Sequence, residues 1–223
     1  MLSFHLRWLV ACSLLPLFSA HAAGSIPLAV APVTVKMDAA TEFAAIEVSN
    51  RGDQATGIEV EMVRVQWVDG KEQYEATPDF VVSPAAFRLA AGKGRMVRFH
   101  HAGPRQDTEG FYRLFIRQLP EALPGNQINM VFNLGVPVFI APLTARPALA
   151  LASQTGSQPA SELRNTGNVT LNLLKLVGAS CPEGSHALLG RISPDQKLTL
   201  KSNLSQCATG VQTDRGLIPL SRP

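Results

Sequence analysis

Gln127-Ile128-Asn129-Met130-Val131-Phe132-Asn133-Leu134-Gly135-Val136-Pro137-Val138-Phe139 is the stretch whose reading decides the fold. Its spacing predicts one long strand. Ile128, Met130, Phe132, Leu134 and Val136 fall at every second position and project from one face of an extended chain, with Asn129, Asn133 and Gly135 opposite. Alternation alone describes the half-buried wall of a sandwich. Pro137 adds a constraint: it has no backbone N–H, so at that end the strand belongs at a sheet edge. A long apolar edge is an aggregation hazard unless another chain is meant to add to it. The stretch is therefore read as a place where a partner strand docks.

Just upstream, Phe111-Tyr112-Arg113-Leu114-Phe115-Ile116-Arg117 is the strand expected to pair with this edge. Arg113 interrupts its apolar run. It is read either as part of a solvated face shared with Arg117 or as an anchor that could hold a carboxylate bidentately and fix the register of an incoming chain.

Further out, short β-rich runs alternate with turn signals: Ala29–Met37, Ala44–Val48, Ile58–Val68, Met96–Phe99 and Tyr112–Leu119. Asn50-Arg51-Gly52-Asp53, Asp69-Gly70, Ala91-Gly92-Lys93-Gly94 and Ala102-Gly103-Pro104 separate them. Strands this short at this spacing indicate an antiparallel sandwich. Pro84–Ala91 is the single helical candidate. Ala141–Pro147 reads as a linker, after which Ala148–Ala152, Glu162–Arg164, Val169–Val177, Leu198–Leu200 and Ala208–Gln212 suggest a second, less regular sandwich.

At the start, Arg7 precedes an apolar run from Trp8 to Phe18 and the small-x-small pattern Ala20-His21-Ala22, the arrangement of a secretory signal peptide. Removing residues 1–22 from the 223 leaves 201, enough for two sandwich domains of about 100 residues, placed at 23–141 and 142–223. Loss of Arg7 lowers the net charge from +3 to +2, with no basic block of the kind that tracks phosphates. Nucleic acid is not an expected partner, and no later apolar run is long enough for membrane insertion. Cys12 leaves with the signal, so Cys181 and Cys207 form an even pair, expected to be a disulfide in an exported protein. Closing that loop would stabilise the second domain by about 3–4 kcal/mol.

Enzyme signatures are missing from the sequence: there is no Gly-x-Ser-x-Gly elbow, phosphate loop or His-Glu-x-x-His. His100 and His101 are the best metal candidates, yet neighbours on a strand point to opposite faces, so no metal site, cofactor or catalytic residue is expected.

Taken in order, several segments resemble the periplasmic chaperones of pilus assembly, the PapD-like proteins. They are Ile46-Glu47-Val48-Ser49-Asn50, Val82-Ser83-Pro84 through Arg88-Leu89, Gly92, Met96-Val97-Arg98, Glu109 and Ile116-Arg117-Gln118-Leu119-Pro120. The alternating strand and Thr213-Asp214-Arg215-Gly216 extend them. The resemblance implies an all-β chain of two immunoglobulin-like sandwiches in a boomerang, located in the periplasm. It further implies donor-strand complementation of a pilus subunit (pilin) by Ile128, Met130, Phe132 and Leu134, and an outer-membrane usher as second partner. The alternative is a secreted two-domain structural or adhesive protein whose apolar strand is simply paired.

Departures from the family matter as much. The family's arginine of the first strand and late lysine of the donor strand, which hold the subunit's C-terminal carboxylate, are matched by Thr34 and Pro137. That points to the archaic branch, with Arg113 as the substitute anchor and Lys36 second. Glu109 and Asp214 match an interdomain ion-pair network, but the arginine between them aligns with Ala141, leaving Arg215 or Arg146 to compensate.

Overall fold

The computed structural model describes residues 28–68, 71–120, 130–154, 160–178, 187–200 and 207–222. The expected signal peptide (1–22), Ile128 and Cys181 lie outside them. All regular structure among the described residues is β.

The described residues between 28 and 140 supply ten strands: β1 (Leu28–Ala31), β2 (Val35–Met37), β3 (Phe43–Asn50), β4 (Thr56–Val68), β5 (Lys71–Ala76), β6 (Phe80–Ser83), β7 (Ala86–Leu89), β8 (Gly94–His101), β9 (Gly110–Gln118) and β10 (Asn133–Ile140). One sheet has the order β1-β3-β8-β6; the other runs β2-β10-β9-β4-β5, with β7 also paired to β4. The period-2 pattern decides what faces inward. Ile46 and Val48 of β3, Val97 and Phe99 of β8, Leu114 and Ile116 of β9, and Val136, Val138 and Ile140 of β10 all enter one core. Each such side chain contributes about 1.5–3 kcal/mol by leaving water.

Beyond Ala141 come β11 (Leu149–Gln154), β12 (Ala160–Asn165), β13 (Leu171–Val177), β14 (Ala187–Ile192), β15 (Lys197–Leu200), β16 (Gly210–Thr213) and β17 (Gly216–Ser221). β11, β12 and β15 lie side by side, as do β14, β13, β16 and β17, and a short parallel pairing of Leu149 with Leu220 links the two groups. Leu151, Leu163, Leu171, Leu173, Val211 and Ile218 belong to this second core, separate from the first. Cys207, packed against it, is disulfide-bonded.

Pro84–Ala91 is not helical: it contains β7, whose Ala86–Leu89 pair with Thr56–Glu59. The sheet overrides a weak local preference. β5, β6, β14 and β17 were not foreseen. Lys-Glu-Gln-Tyr-Glu-Ala of β5 is exposed nearly throughout and carries no apolar alternation to read.

One local device recurs in both sandwiches. Asn50 and Asn165 are buried at the ends of β3 and β12, each followed two residues later by glycine. Each side-chain oxygen accepts from the glycine N–H, at 2.9 Å for Gly52 and 2.9 Å for Gly167. Each amide nitrogen donates to two carbonyls, of Gln54 and Leu89 in one case and of Val169 and Ile192 in the other. The turn is closed by the side chain, and three backbone groups are satisfied at once.

Candidate functional site

β10 is flanked along its whole length by β9, from Asn133↔Arg117 to Ile140↔Gly110. Its other side is covered only where β2 runs parallel, Val138↔Val35 to Ile140↔Met37. From Asn133 to Pro137 the outer side has no neighbouring strand among the described residues. The Gln118 N–H donates to the Phe132 carbonyl at 2.8 Å, and this sets the parity of the ladder. Even-numbered residues exchange hydrogen bonds with β9, while the backbone groups of Asn133, Gly135 and Pro137 point to the open side. Pro137 therefore sits where a missing N–H costs no bond to β9, at the step where β2 begins. The sequence reading puts the edge at the proline end; the free stretch runs from there toward Asn133, where β10 begins, with Met130–Phe132 outside the strand and residues 127–129 outside the described residues.

Along this edge the apolar face climbs out of the core. Val138 and Val136 are buried, Leu134 and Phe132 are half-buried against the core, and Met130 is 71% exposed. Val131 beside it is exposed too. Thus Leu134, Phe132 and Met130 form a ladder of progressively uncovered side chains running from β10 into the segment before it, along an edge with no outer strand neighbour among the described residues. Ile128, next in that series, lies outside the described residues.

The opposite face of this sheet is not a plain solvated surface. Phe139 of β10 stacks on Phe111 of β9, with centroids 4.9 Å apart and planes 5° from parallel. Arg113 lies over Phe111 at 5.4 Å, and Arg191 of β14 lies over Phe139 at 5.0 Å. The result is a four-member stack, Arg113–Phe111–Phe139–Arg191, that crosses from one sandwich to the other. Gly135 lets Arg113 and Phe115 lie across β10, since a β-carbon there would come within 3.0 Å of Arg113 Cδ.

Both anchor candidates already hold a carboxylate. The Arg113 guanidinium donates to both oxygens of Glu72 on β5, and Arg117 donates to one oxygen of Glu61. Lys36 on β2 donates to Asp214 at 3.2 Å, across to the second sandwich. Thr34 and Lys36 line a cavity of about 130 Å³ between the sandwiches, together with Glu109, Phe139, Arg191 and Arg215.

Glu109 and Asp214 meet the other domain through separate partners. The Glu109 carboxylate, only 4% exposed, accepts from the Thr170 N–H at 2.8 Å and from Arg215 at 3.2 Å. Asp214 accepts from the N–H and the side-chain amide of Asn172, at 2.9 and 2.8 Å, as well as from Lys36. Burial pushes the Asp214 carboxyl up, but the Asn172 N–H and the Lys36 charge outweigh it and hold the group below the usual carboxylate range. Arg215 pairs with Glu109 and not with Asp214, and Arg146 uses its backbone N–H to bond Asn168.

His100 and His101 face opposite ways. His100 stacks on Phe43 at 4.5 Å, and His101 is buried beside Phe80. No metal-holding group of His, Cys, Asp and Glu occurs among the described residues.

The geometry can be set beside known proteins. The family model for the pili and flagellar-assembly chaperone, PapD N-terminal domain, matches residues 27–145. A search of curated proteins gave no match. Among solved structures, the chain is similar to the chaperone–tip adhesion subunit complex CsuC–CsuE of archaic Csu pili from Acinetobacter baumannii. Identity is 18% and the TM-score 0.62, covering 88% of this chain and 99% of that one. It is also similar to the class 5 fimbriae chaperone CfaA, at 13% identity and a TM-score of 0.65, covering 84% and 92%. A third is the SafA pilin with the SafB chaperone from Salmonella enterica, at 18% and 0.55, covering 87% and 94%. These likenesses give the two-domain all-β fold. The model's match over more than half of the residues gives the family: the chain belongs to the PapD-type pili and flagellar-assembly chaperones, which are binding proteins and not enzymes.

Proposed function

We propose that this protein is a periplasmic chaperone that captures a pilus subunit by donor-strand complementation at the free edge of β10 and passes it to an outer-membrane usher. One observation carries the reading: among the described residues, the backbone of Asn133–Pro137 has no strand partner on its outer side while the adjoining face, Leu134, Phe132 and Met130, rises out of the core. A subunit lacking one strand of its own sandwich would gain both a hydrogen-bond ladder and apolar side chains from this edge. Ile128, which follows in the period-2 spacing of the sequence, is proposed as the next donor residue. The archaic branch is the favoured relation, because Thr34 and Pro137 replace the family's usual carboxylate-holding pair. Chaperone–subunit complexes among the structural neighbours support the kind of partner.

Each apolar side chain taken into a subunit contributes about 1.5–3 kcal/mol. Met130→Glu should therefore weaken co-purification of a co-expressed pilus subunit about ten- to a hundredfold, and Met130→Glu with Phe132→Glu should abolish it. Met130 is exposed, so the single variant should fold and be exported normally. A folded double variant that still retains the subunit undiminished would exclude this strand as the donor.

A further inference from the structure

The uncovered end of the ladder is a thioether. Of the methionines in the sequence, Met37, Met62, Met96 and Met130 follow the expected signal peptide. Met37 and Met62 are buried in the first core, whereas Met96 is 42% exposed and Met130 71% exposed. Hydrogen peroxide at neutral pH attacks thioethers and free thiols, and access sets the order in which methionines react. Cys207 is disulfide-bonded and offers no thiol. Met130 is therefore the most accessible thioether among the described residues, with Met96 next.

The two exposed methionines differ in where they stand. Met96 lies on β8 opposite Glu47 of β3, in the sheet that does not contain β10. Met130 precedes Phe132 and Leu134 at every second position, on the face that rises out of the core beside the free edge. Val131 is exposed next to it but has no atom that peroxide oxidises.

One two-electron step changes the character of that side chain. A lone pair on the Met130 sulfur attacks a peroxide oxygen, an S–O bond forms as the O–O bond breaks, and the other oxygen leaves as water. The sulfide is oxidised to the sulfoxide and the peroxide is reduced. A pliable apolar side chain becomes one with a strong dipole and an acceptor oxygen. Taken into an apolar groove, that oxygen would lose its water without gaining a donor.

We propose that Met130 is an oxidation site for peroxides, and that its sulfoxide switches the donor edge off. Reactivity at Met130 follows from its exposure; the consequence for capture rests on the chaperone reading above.

The test begins with the free, full mature protein, treated with increasing hydrogen peroxide and read by peptide mass mapping. Met130 should be half oxidised at a dose about tenfold or more below that for Met37 and Met62, with Met96 between them. Capture of a pilus subunit diluted out of urea is then measured by gel filtration, each protein against its own untreated sample. Peroxide should lower capture about tenfold or more in the parent and in Met96→Leu, while Met130→Leu keeps its own starting level. In the preformed complex Met130 should react more slowly than in the free protein, and Met96 at an unchanged rate. Oxidation of Met130 no sooner than of the buried pair, undiminished capture by protein fully oxidised at Met130, or an equal loss in Met130→Leu would overturn the proposal. Failure of the donor reading is seen separately, because Met130→Glu would then capture the subunit normally while Met130 of the free parent still oxidised first.

Discussion

Asp79 shows how much one side chain can hold in a small sandwich. It is 7% exposed, and its carboxylate accepts from Tyr112 Oη at 2.7 Å and pairs with Arg64. Its backbone carbonyl accepts from the Ala102 and Gly103 N–H groups. Gly103 permits that approach, because a β-carbon there would lie 2.8 Å from the Asp79 carboxyl carbon. Burial raises the carboxyl, but bonds from Tyr112 and Thr77 and the Arg64 charge win, so the group titrates below its usual value of 3.8. Tyr112 is pushed up by burial and by its bond to Asp79. A depressed carboxylate contributes stability that is present above the unfolded value and lost as pH falls through the folded one. Asp79→Asn should thus cost about 2–3 kcal/mol at pH 7, with the gap to the parent narrowing below about pH 4. Urea unfolding at pH 7 and pH 3 measures both; a gap that widens on acidification would contradict the assignment. Asn165→Ala should cost a similar 2–3 kcal/mol, since it strands the Gly167 N–H and the carbonyls of Val169 and Ile192 in a buried turn.

At the scale of the element, β10 separates two sets of amides by parity alone. The N–H groups of Leu134 and Val136 point to β9, whereas those of Asn133 and Gly135 face the open side. In the free protein the second set should exchange with solvent orders of magnitude faster than the first. Capture of a subunit strand should protect Asn133 and Gly135 selectively, with Pro137 silent. Hydrogen exchange resolved to single amides reads this, and protection appearing evenly across β9 and β10 would argue for binding elsewhere. Much of this strand was legible in the sequence: the period-2 face and the proline both have direct physical meanings. Its start and the position of the free stretch were not, because β2 covers Val138–Ile140 through pairing across about 100 residues of chain. Non-local pairing leaves no local trace. The same holds for β7, where a short sequence with weak preference is claimed by β4.

At the scale of the whole molecule, two sandwiches with separate cores are joined among the described residues by two ion pairs of unequal strength, beside bonds linking Asn168 with Asp107 and Glu109. Glu109, Asp214 and Arg215 could be singled out in the sequence by resemblance; their wiring could not, since Glu109 takes Arg215 while Asp214 takes Lys36. Arg191 carried no signal at all, because a lone arginine beside glycine becomes informative only when Phe139 of the other domain lies beneath it. The Lys36–Asp214 bridge is largely exposed on the lysine side and should contribute no more than about 1 kcal/mol. The Glu109 side chain is only 4% exposed, and its removal leaves the Thr170 N–H and Arg215 without this acceptor, a loss of about 2–3 kcal/mol. Glu109→Ala should accordingly uncouple the domains more than Lys36→Ala does. In calorimetry the single transition of the parent should split into two for Glu109→Ala and merely broaden for Lys36→Ala. Acid should mimic the weaker change: Asp214 is held below its usual value, so its link to Lys36 is intact above about pH 4 and fades as pH falls through the folded value. A Lys36→Ala protein should then show less change in coupling between pH 6 and pH 3 than the parent. Splitting by Lys36→Ala equal to that by Glu109→Ala would reverse the ranking and place the main tie between the domains at Asp214.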